Sequence, residues 1–333
     1  MSILKRCFFF AGKRVWIWYN IGMEKEKYII GIGAANVDIC GRSYAPVNYR
    51  DSNPGSMHVS VGGVTRNILE NYARLGGKCI LLTVVGDDIY GQKILRESAQ
   101  AGIDVSHVMT VKGVSSSTYM SVMNNDGDLA VALSDMNIMS HFSVEYLHEN
   151  DSIIRDSQLI VCDPSIPQAV MDHLLDDYDV PVYVDPVSIA YAKCIKDKIG
   201  RFHTVKPNVN ECQLLSGCQG ETKEELIEAA KKILSSGLDE IYVSRGREGS
   251  LYLNKEGCIL ESSLKPLEET VNATGAGDAF MAMVIYGRVN GYDKQKTLDY
   301  ASAAGIAAIT AEDTINKKIS IELIENILEE RRK

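Results

Sequence analysis

A chain of 333 residues, 45% hydrophobic and 24% charged, can bury a large core and has length for about two domains of ~150 residues. That composition excludes a disordered, coiled-coil or collagen-like chain. Thirty-five basic against 44 acidic side chains leave a formal charge of −9, which repels a phosphate backbone, so no nucleic-acid polymer is expected as a partner.

The chain opens on residues 1–22, where Lys5, Arg6, Lys13 and Arg14 have no acidic counterpart. Lys13-Arg14 separates the apolar residues 7–11 from 15–19, so the segment makes a poor secretory signal. Met23 followed by Glu24-Lys25-Glu26-Lys27 reads as an ordinary start, and residues 1–22 are expected to be a non-essential leader. No apolar run approaches the ~20 residues of a membrane span. Eight cysteines include no C-x-x-C pair, and six histidines show no ligand spacing beside them. They read as reduced thiols, which fits a cytoplasmic protein.

Short apolar runs at 28–33, 78–85, 158–162, 180–184 and 240–244 read as buried parallel strands. Helical patterns lie between them: 67–75 stopped by Gly76-Gly77, 90–101 stopped by Gly102, and 222–236 stopped by Gly237. The third opens on a capping box, Thr222 with Glu225, ahead of Leu226, Ala229, Ala230, Ile233 and Leu234. Residues 320–332 complete the pattern as an amphipathic helix. Strands alternating with helices predict an α/β fold, a doubly wound, mostly parallel sheet flanked by helices. Residues 42–60 and 117–133 break the rhythm with alternating pieces, read either as surface hairpins or as a small β lid over the carboxyl ends of the strands. The core is assigned to 23–42, 61–112 and 134–333, and the lid to 43–60 and 113–133.

Gly31-Ile32-Gly33-Ala34-Ala35-Asn36 begins like a dinucleotide fingerprint. Asn36 stands at the third glycine position, however, and 38–54 offers no helix to hold a pyrophosphate. A nicotinamide dehydrogenase would rest on this loop alone. The strongest local signal is Asn272-Ala273-Thr274-Gly275-Ala276-Gly277-Asp278, a glycine loop opening a helix, whose amides and dipole suit an anion. Asp278 in the first turn is placed to accept a proton from an attacking hydroxyl; the plain alternative is an aspartate that complements the helix dipole. Gly62-Gly63-Val64-Thr65-Arg66-Asn67 leads from a lid strand into a helix and allows backbone approach to a sugar, with Asn67 bonding hydroxyls. In Lys206-Pro207-Asn208-Val209-Asn210-Glu211, Asn208 and Glu211 would share a helical face suited to hydrated Mg²⁺, unless they simply cap the helix.

These motifs stand in one order and, with Asp38 in the turn that ends the first strand, resemble the ribokinase-like (PfkB) carbohydrate kinase family over about residues 28–328. The resemblance implies ATP-dependent phosphorylation of a sugar or nucleoside hydroxyl, a sheet with a β lid, and Mg²⁺. By position it makes Asp278 the catalytic base and Gly275, Ala276 and Gly277 the anion hole. Asn208 and Glu211 resemble the family's N-x-x-E magnesium and phosphate motif. Asp38, Gly62, Gly63 and Asn67, with Asn36 and Thr118 beside them, become the acceptor-binding candidates. Ser244, Arg245 and Gly246, then Gly249, fall where the family contacts nucleotide phosphates.

Within the family, Ser52-Asn53-Pro54-Gly55, the GGVTRN form, Gly86-Asp87-Asp88 with Gly91, and NATGAGD resemble the members that phosphorylate the 5′-hydroxyl of pseudouridine. Another nucleoside or a ribose-like sugar stays open as the substrate. Most members carry Asp-Thr where this chain has Asn272-Ala273, which leaves K⁺ dependence open. The implied partners are a small-molecule nucleoside and ATP, with a homodimer through the lid as a further option. A non-catalytic sugar-binding regulator could keep the fold, but Asp278 and the Asn208/Glu211 pair argue against lost chemistry.

Overall fold

Apolar runs of three to five residues are too short for helices and become strands. In the structure, a computed structural model, residues 3–10, 13–20, 27–220, 222–267, 274–311 and 313–332 are described, the first two segments by backbone alone. Strands β1 (Ile3–Phe10) and β2 (Lys13–Asn20) form an antiparallel hairpin. Then follow β3 (Ile29–Ile32), β4 (Asn36–Ser43), β5 (Gly55–Gly62), α1 (Val64–Arg74), β6 (Cys79–Leu82), β7 (Val84–Gly86), α2 (Ile89–Gln100), β8 (Met109–Val111), β9 (Thr118–Met123) and β10 (Leu129–Asp135). The second half holds α3 (Val144–Glu149), α4 (Asp151–Asp156), β11 (Ile160–Cys162), α5 (Gln168–Asp177), β12 (Val182–Val184), α6 (Ile189–Ile195), β13 (Thr204–Val205), α7 (Val209–Ser216) and α8 (Lys223–Leu234). It ends with β14 (Glu240–Ser244), β15 (Ser250–Asn254), β16 (Ile259–Ser262), α9 (Ala276–Val289), α10 (Lys294–Ile309) and α11 (Ile321–Arg331).

Eight strands form the main sheet in the order β16-β15-β14-β13-β12-β11-β3-β6, parallel from β14 to β6 and antiparallel at β15 and β16. Alternation along each strand divides its side chains between two cores. Ile29, Val161 and Tyr183 join α1, α9 and α10 on one face, while Ile30, Ile160 and Val184 join α5, α7 and α8 on the other. Both faces are covered, so the strands are apolar throughout. The α8 capping box expected from Thr222 and Glu225 is present.

Gly31 and Gly33, which imitate half of a dinucleotide fingerprint, serve packing. A β-carbon on Gly31 would lie 2.5 Å from Leu69 Cδ1, and one on Gly33 would overlap the Thr65 hydroxyl and the Asp163 carboxylate. Helix α1 therefore rests directly on β3.

A second sheet, β10-β9-β4-β5, forms the lid. It takes in all of β4, so residues 36–42, which the sequence pattern groups with the core, pair with β5 and β9 instead. The lid faces differ sharply. Asp38, Ser60, Tyr119 and His58 stand on the face turned to the cleft, where His58 Nε2 lies 3.4 Å from Asp313. On the other face Val37, Ile39 and Val61 pack in the α1–α9 core with Ile94 of α2, and beyond them Met57, Val59, Met120, Val131 and Leu133 are exposed.

If α1 is seated by the missing side chain at 31, Gly31→Val is expected to cost about 1–3 kcal/mol through overpacking. Thermal unfolding followed by circular dichroism checks this, and an unchanged midpoint would show that α1 has room to shift.

Candidate active site

Helix α9 starts without a side-chain cap. Its N-cap Gly275 sits at φ +84, where a β-carbon would run into the Thr314 carbonyl, so the turn requires glycine. The first-turn amides of Ala276, Gly277 and Asp278 have no partner within their own helix and suit an anion, which the dipole also favours. Asp278, the third residue of α9, is buried, and its Oδ2 accepts a 3.0 Å hydrogen bond from Asn67 Nδ2 on α1. Burial pushes its carboxyl up to about 7, with the Asp185 charge adding to the rise. The Asn67 hydrogen bond and the Lys206 ammonium oppose it. A carboxylate so balanced serves as a general base near neutrality.

Asn67 is fixed at both ends, because its Oδ1 accepts from Arg66 Nη1 at 3.2 Å. Arg66 in turn pairs with Glu70, which also binds Arg74. Gly63, the N-cap of α1, has φ +100, and a β-carbon there would strike the Ala34 carbonyl. Asp38 lies on strand β4 rather than in a turn. Its Oδ1 accepts from Asn36 Nδ2 at 2.6 Å, and a β-carbon on Gly62 would overlap its carboxylate. Burial raises the Asp38 carboxyl, with the Asn36 hydrogen bond and Arg66 working against it. Asn36, Asp38, Gly62, Gly63, Asn67 and Asp278 thus form one wall. Thr118 is turned away from it: its hydroxyl donates to the Ser116 carbonyl, in the row of Val37, while its neighbour Tyr119 pairs with Asp38 on the cleft face.

Behind the amide turn opens a cavity of about 320 Å³ between the end of β14 and helices α9 and α10. Ser244, Gly246 and Gly249 line one side and Leu264, Phe280 and Ile306 the other, with Ala276 and Gly277 at its edge. The apolar end suits a flat ring and the amide end suits phosphates. Arg245 differs from expectation. Its guanidinium is spent on Glu261 at 2.7 Å and on the Glu248 carbonyl, and Arg247 lines the cavity instead.

Asn208 and Glu211 form a reciprocal capping box on α7. The Asn208 Oδ1 accepts from the Glu211 amide and Glu211 Oε2 from the Asn208 amide, both at 2.9 Å. Glu211 keeps one oxygen unspent by the box. Burial raises its carboxyl; the Asn208 amide bond opposes the rise and Asp185 adds to it. Among the described residues no group of three or more His, Cys, Asp or Glu is arranged to hold a metal ion. Asn272 and Ala273, on which the monovalent-cation expectation rests, lie outside the described residues.

Sequence reasoning missed Asp163, Asp185 and Lys206. They end three neighbouring strands, β11, β12 and β13, and each is a charged residue between an apolar run and a proline: Cys162-Asp163-Pro164, Val184-Asp185-Pro186 and Val205-Lys206-Pro207. Proline stops the ladder there. All three side chains are buried; Asp163 accepts from the Thr65 hydroxyl at 2.6 Å, and Lys206 Nζ lies 2.9 Å from Asp185.

Residues 26–321 match the model of the pfkB family carbohydrate kinases. Over 310 residues the chain is 36% identical to a pseudouridine kinase of Escherichia coli strain K12, an alignment covering 92% of this chain and 98% of that one. Among solved structures it is similar to a carbohydrate kinase from Agrobacterium tumefaciens, with a TM-score of 0.78 and 24% identity, covering 91% and 97% of the two chains. It is also similar to Arabidopsis thaliana ribokinase complexed with ribose and ATP, with a TM-score of 0.79 and 20% identity over 91% of this chain and 99% of that one. Those two likenesses show the fold, which is ribokinase-like.

The electrostatic balance at Asp278 is directly measurable. Carboxyl ¹³C shifts should show it titrating near pH 7, about three units above an ordinary aspartate. Because Asn67 donates to the charged form, Asn67→Ala should move that midpoint higher still; a downward move would show that the donor is not acting on the carboxylate.

Proposed function

The chain belongs to the pfkB family of carbohydrate kinases, and from that premise we propose that it transfers the γ-phosphoryl group of ATP to the 5′-hydroxyl of pseudouridine. The observation that carries the chemistry is Asp278, buried beside uncapped helix amides at the edge of a cavity of about 320 Å³ and hydrogen-bonded to Asn67 on the wall that also carries Asp38. The name of the bacterial relative supports the substrate.

On this reading the nucleoside lies under the lid, with its ribose hydroxyls against Asp38 and Asn67. Its 5′-oxygen forms a bond to the γ-phosphorus while the bond to the β–γ bridging oxygen breaks, and its proton passes to Asp278. ADP leaves through the cavity lined by Ser244 and Gly249. The amides of Ala276 and Gly277 take charge on the transferring group, and positioning does most of the work. Glu211, with an oxygen left over from the capping box and a second carboxylate at Asp185 nearby, suits a hydrated Mg²⁺ bound mainly to ATP. That ion would neutralise phosphate charge. Potassium dependence is not part of the proposal. The cysteine pattern supports a cytoplasmic location.

We also propose that a second copy of the chain covers the exposed apolar side chains of the lid, Met57, Val59, Met120, Val131 and Leu133. They come from β5, β9 and β10 and share one face of the sheet, and an exposed apolar patch of this kind suits an interface.

Asp278→Asn is expected to lower kcat by about 10²–10⁴ with ATP affinity little changed, as loss of a general base does; turnover close to wild type would remove Asp278 from the reaction. In a panel of pseudouridine, uridine and ribose, pseudouridine should give the highest kcat/KM, and preference for either competitor would reassign the substrate. Leu133→Glu should leave a monomer by light scattering where the unaltered chain is a dimer, whereas a monomeric unaltered chain would rule out the pairing.

A further inference from the structure

Three cations are buried among the described residues. Two are spent on local pairs, Arg66 with Glu70 and Arg245 with Glu261. The third, Lys206, is 5% exposed and follows β13. Its Nζ lies 2.9 Å from Asp185 Oδ2 and 2.6 Å from the place a β-carbon on Gly277 would take. The ammonium is thus pressed against the amide turn that opens α9, and glycine at 277 is what admits it. An ammonium has three donors, and Asp185 is the one carboxylate within ion-pair distance of it among the described residues.

A fastener between β12 and β13 does not require this arrangement. Burying an ion pair is a weak source of stability, and two apolar side chains would join the strands as well. What the pair adds is a positive charge of fixed direction. Asp185 is itself held: its Oδ1 accepts from the Val187 amide at 2.9 Å, and its own amide donates to the Cys162 carbonyl at 3.1 Å. Val187 sits at φ 67, a left-handed conformation that a β-branched residue adopts only when its surroundings impose it. The remaining charges around Lys206 are negative, Asp185, Glu211 and Asp278, so a phosphoryl group arriving at the amide turn would meet repulsion if this cation were removed.

We propose that Lys206 is a catalytic cation whose ammonium contacts the γ-phosphoryl group of ATP from the Gly277 side, aimed there by Asp185. This rests on the phosphoryl-transfer reading above. As the bond to the β–γ bridging oxygen breaks and the bond to the acceptor oxygen forms, the acceptor's proton goes to Asp278 and Lys206 keeps all of its own. Its part is to neutralise charge on the equatorial oxygens.

The test compares Lys206→Met, Lys206→Arg and Asp185→Asn in the full chain, measuring turnover with ATP and pseudouridine and calorimetric affinity for ADP and AMP-PNP. Lys206→Met should lower kcat by about 10²–10³, the usual loss for one oxyanion-stabilising group. It should weaken AMP-PNP about tenfold and leave ADP affinity within about twofold, because only AMP-PNP carries a γ group. Lys206→Arg should recover part of the loss, and Asp185→Asn should lower kcat with ADP affinity unchanged. Equal weakening of both nucleotides, or kcat within about threefold of wild type, overturns the proposal. If Lys206→Met does not fold, the other two variants decide it: wild-type kcat and an unaltered ratio of the two affinities in both would refute the contact. Failure of the substrate reading is separable, since pseudouridine would then go unphosphorylated while Lys206 still discriminated AMP-PNP from ADP.

Discussion

Keeping one carboxylate out of water is the constraint on which the arrangement depends. A lone buried charge is costly unless it is hydrogen-bonded and paired. Asp278 is hydrogen-bonded by Asn67 on α1 and feels the positive charge of Lys206 after β13, two remote parts of the chain. Asn67 is in turn fixed by Arg66, Arg66 by Glu70, and Lys206 by Asp185. The network therefore joins α1, α9 and two strand ends, and displacing any of them would leave a buried charge without its partner. The compensation is incomplete, so the carboxyl lies near neutrality instead of in the ordinary aspartate range. That residue of unfavourable energy is what would suit it to the proposed role of base.

Such a network needs backbones to approach more closely than side chains allow, and glycine supplies the clearance. Gly31 lets α1 rest on β3, Gly63 lets its start pass the Ala34 carbonyl, Gly275 clears Thr314, and Gly277 leaves room for Lys206. Gly63 and Gly275 also hold positive φ. These glycines are one device: each shortens the distance between an element that carries a polar group and the element that answers it.

Much of this is legible in the sequence because it depends on local rules. Short continuous apolar runs mark β3, β11, β12 and β14, the capping box marks α8, and the glycine loop marks the start of α9. Pairing is less legible. Nothing local says that Asn36–Ser43 leaves the main sheet to lie beside Gly55–Gly62, since both are apolar alternating strands and the choice depends on which edge is free. Partners remote in sequence are equally hidden. Arg245 stands in a promising loop, yet Glu261, sixteen residues on, claims it. The Asp163, Asp185 and Lys206 trio carries a signal, charge then proline after an apolar run, that gains meaning only once β11, β12 and β13 are known to be neighbours.

The lid shows why register matters more than composition for the site. Strand β4 pairs with β5 without interruption from Asn36↔Gly62 to Ser43↔Gly55, and alternation sends Asp38 to the cleft and Ile39 to the opposite face. A slip of one residue would exchange the faces, exposing the carboxylate to solvent and turning Ile39 and Val59 into the cleft. Two features hold the register. Asp38 fits over Gly62, where any larger residue would collide, and Val37 and Val61 are locked into the core beneath α2. The polar group that would meet the acceptor is thus positioned by apolar packing on the far side of the same strand, which is how a thin sheet can carry a recognition face without a core of its own.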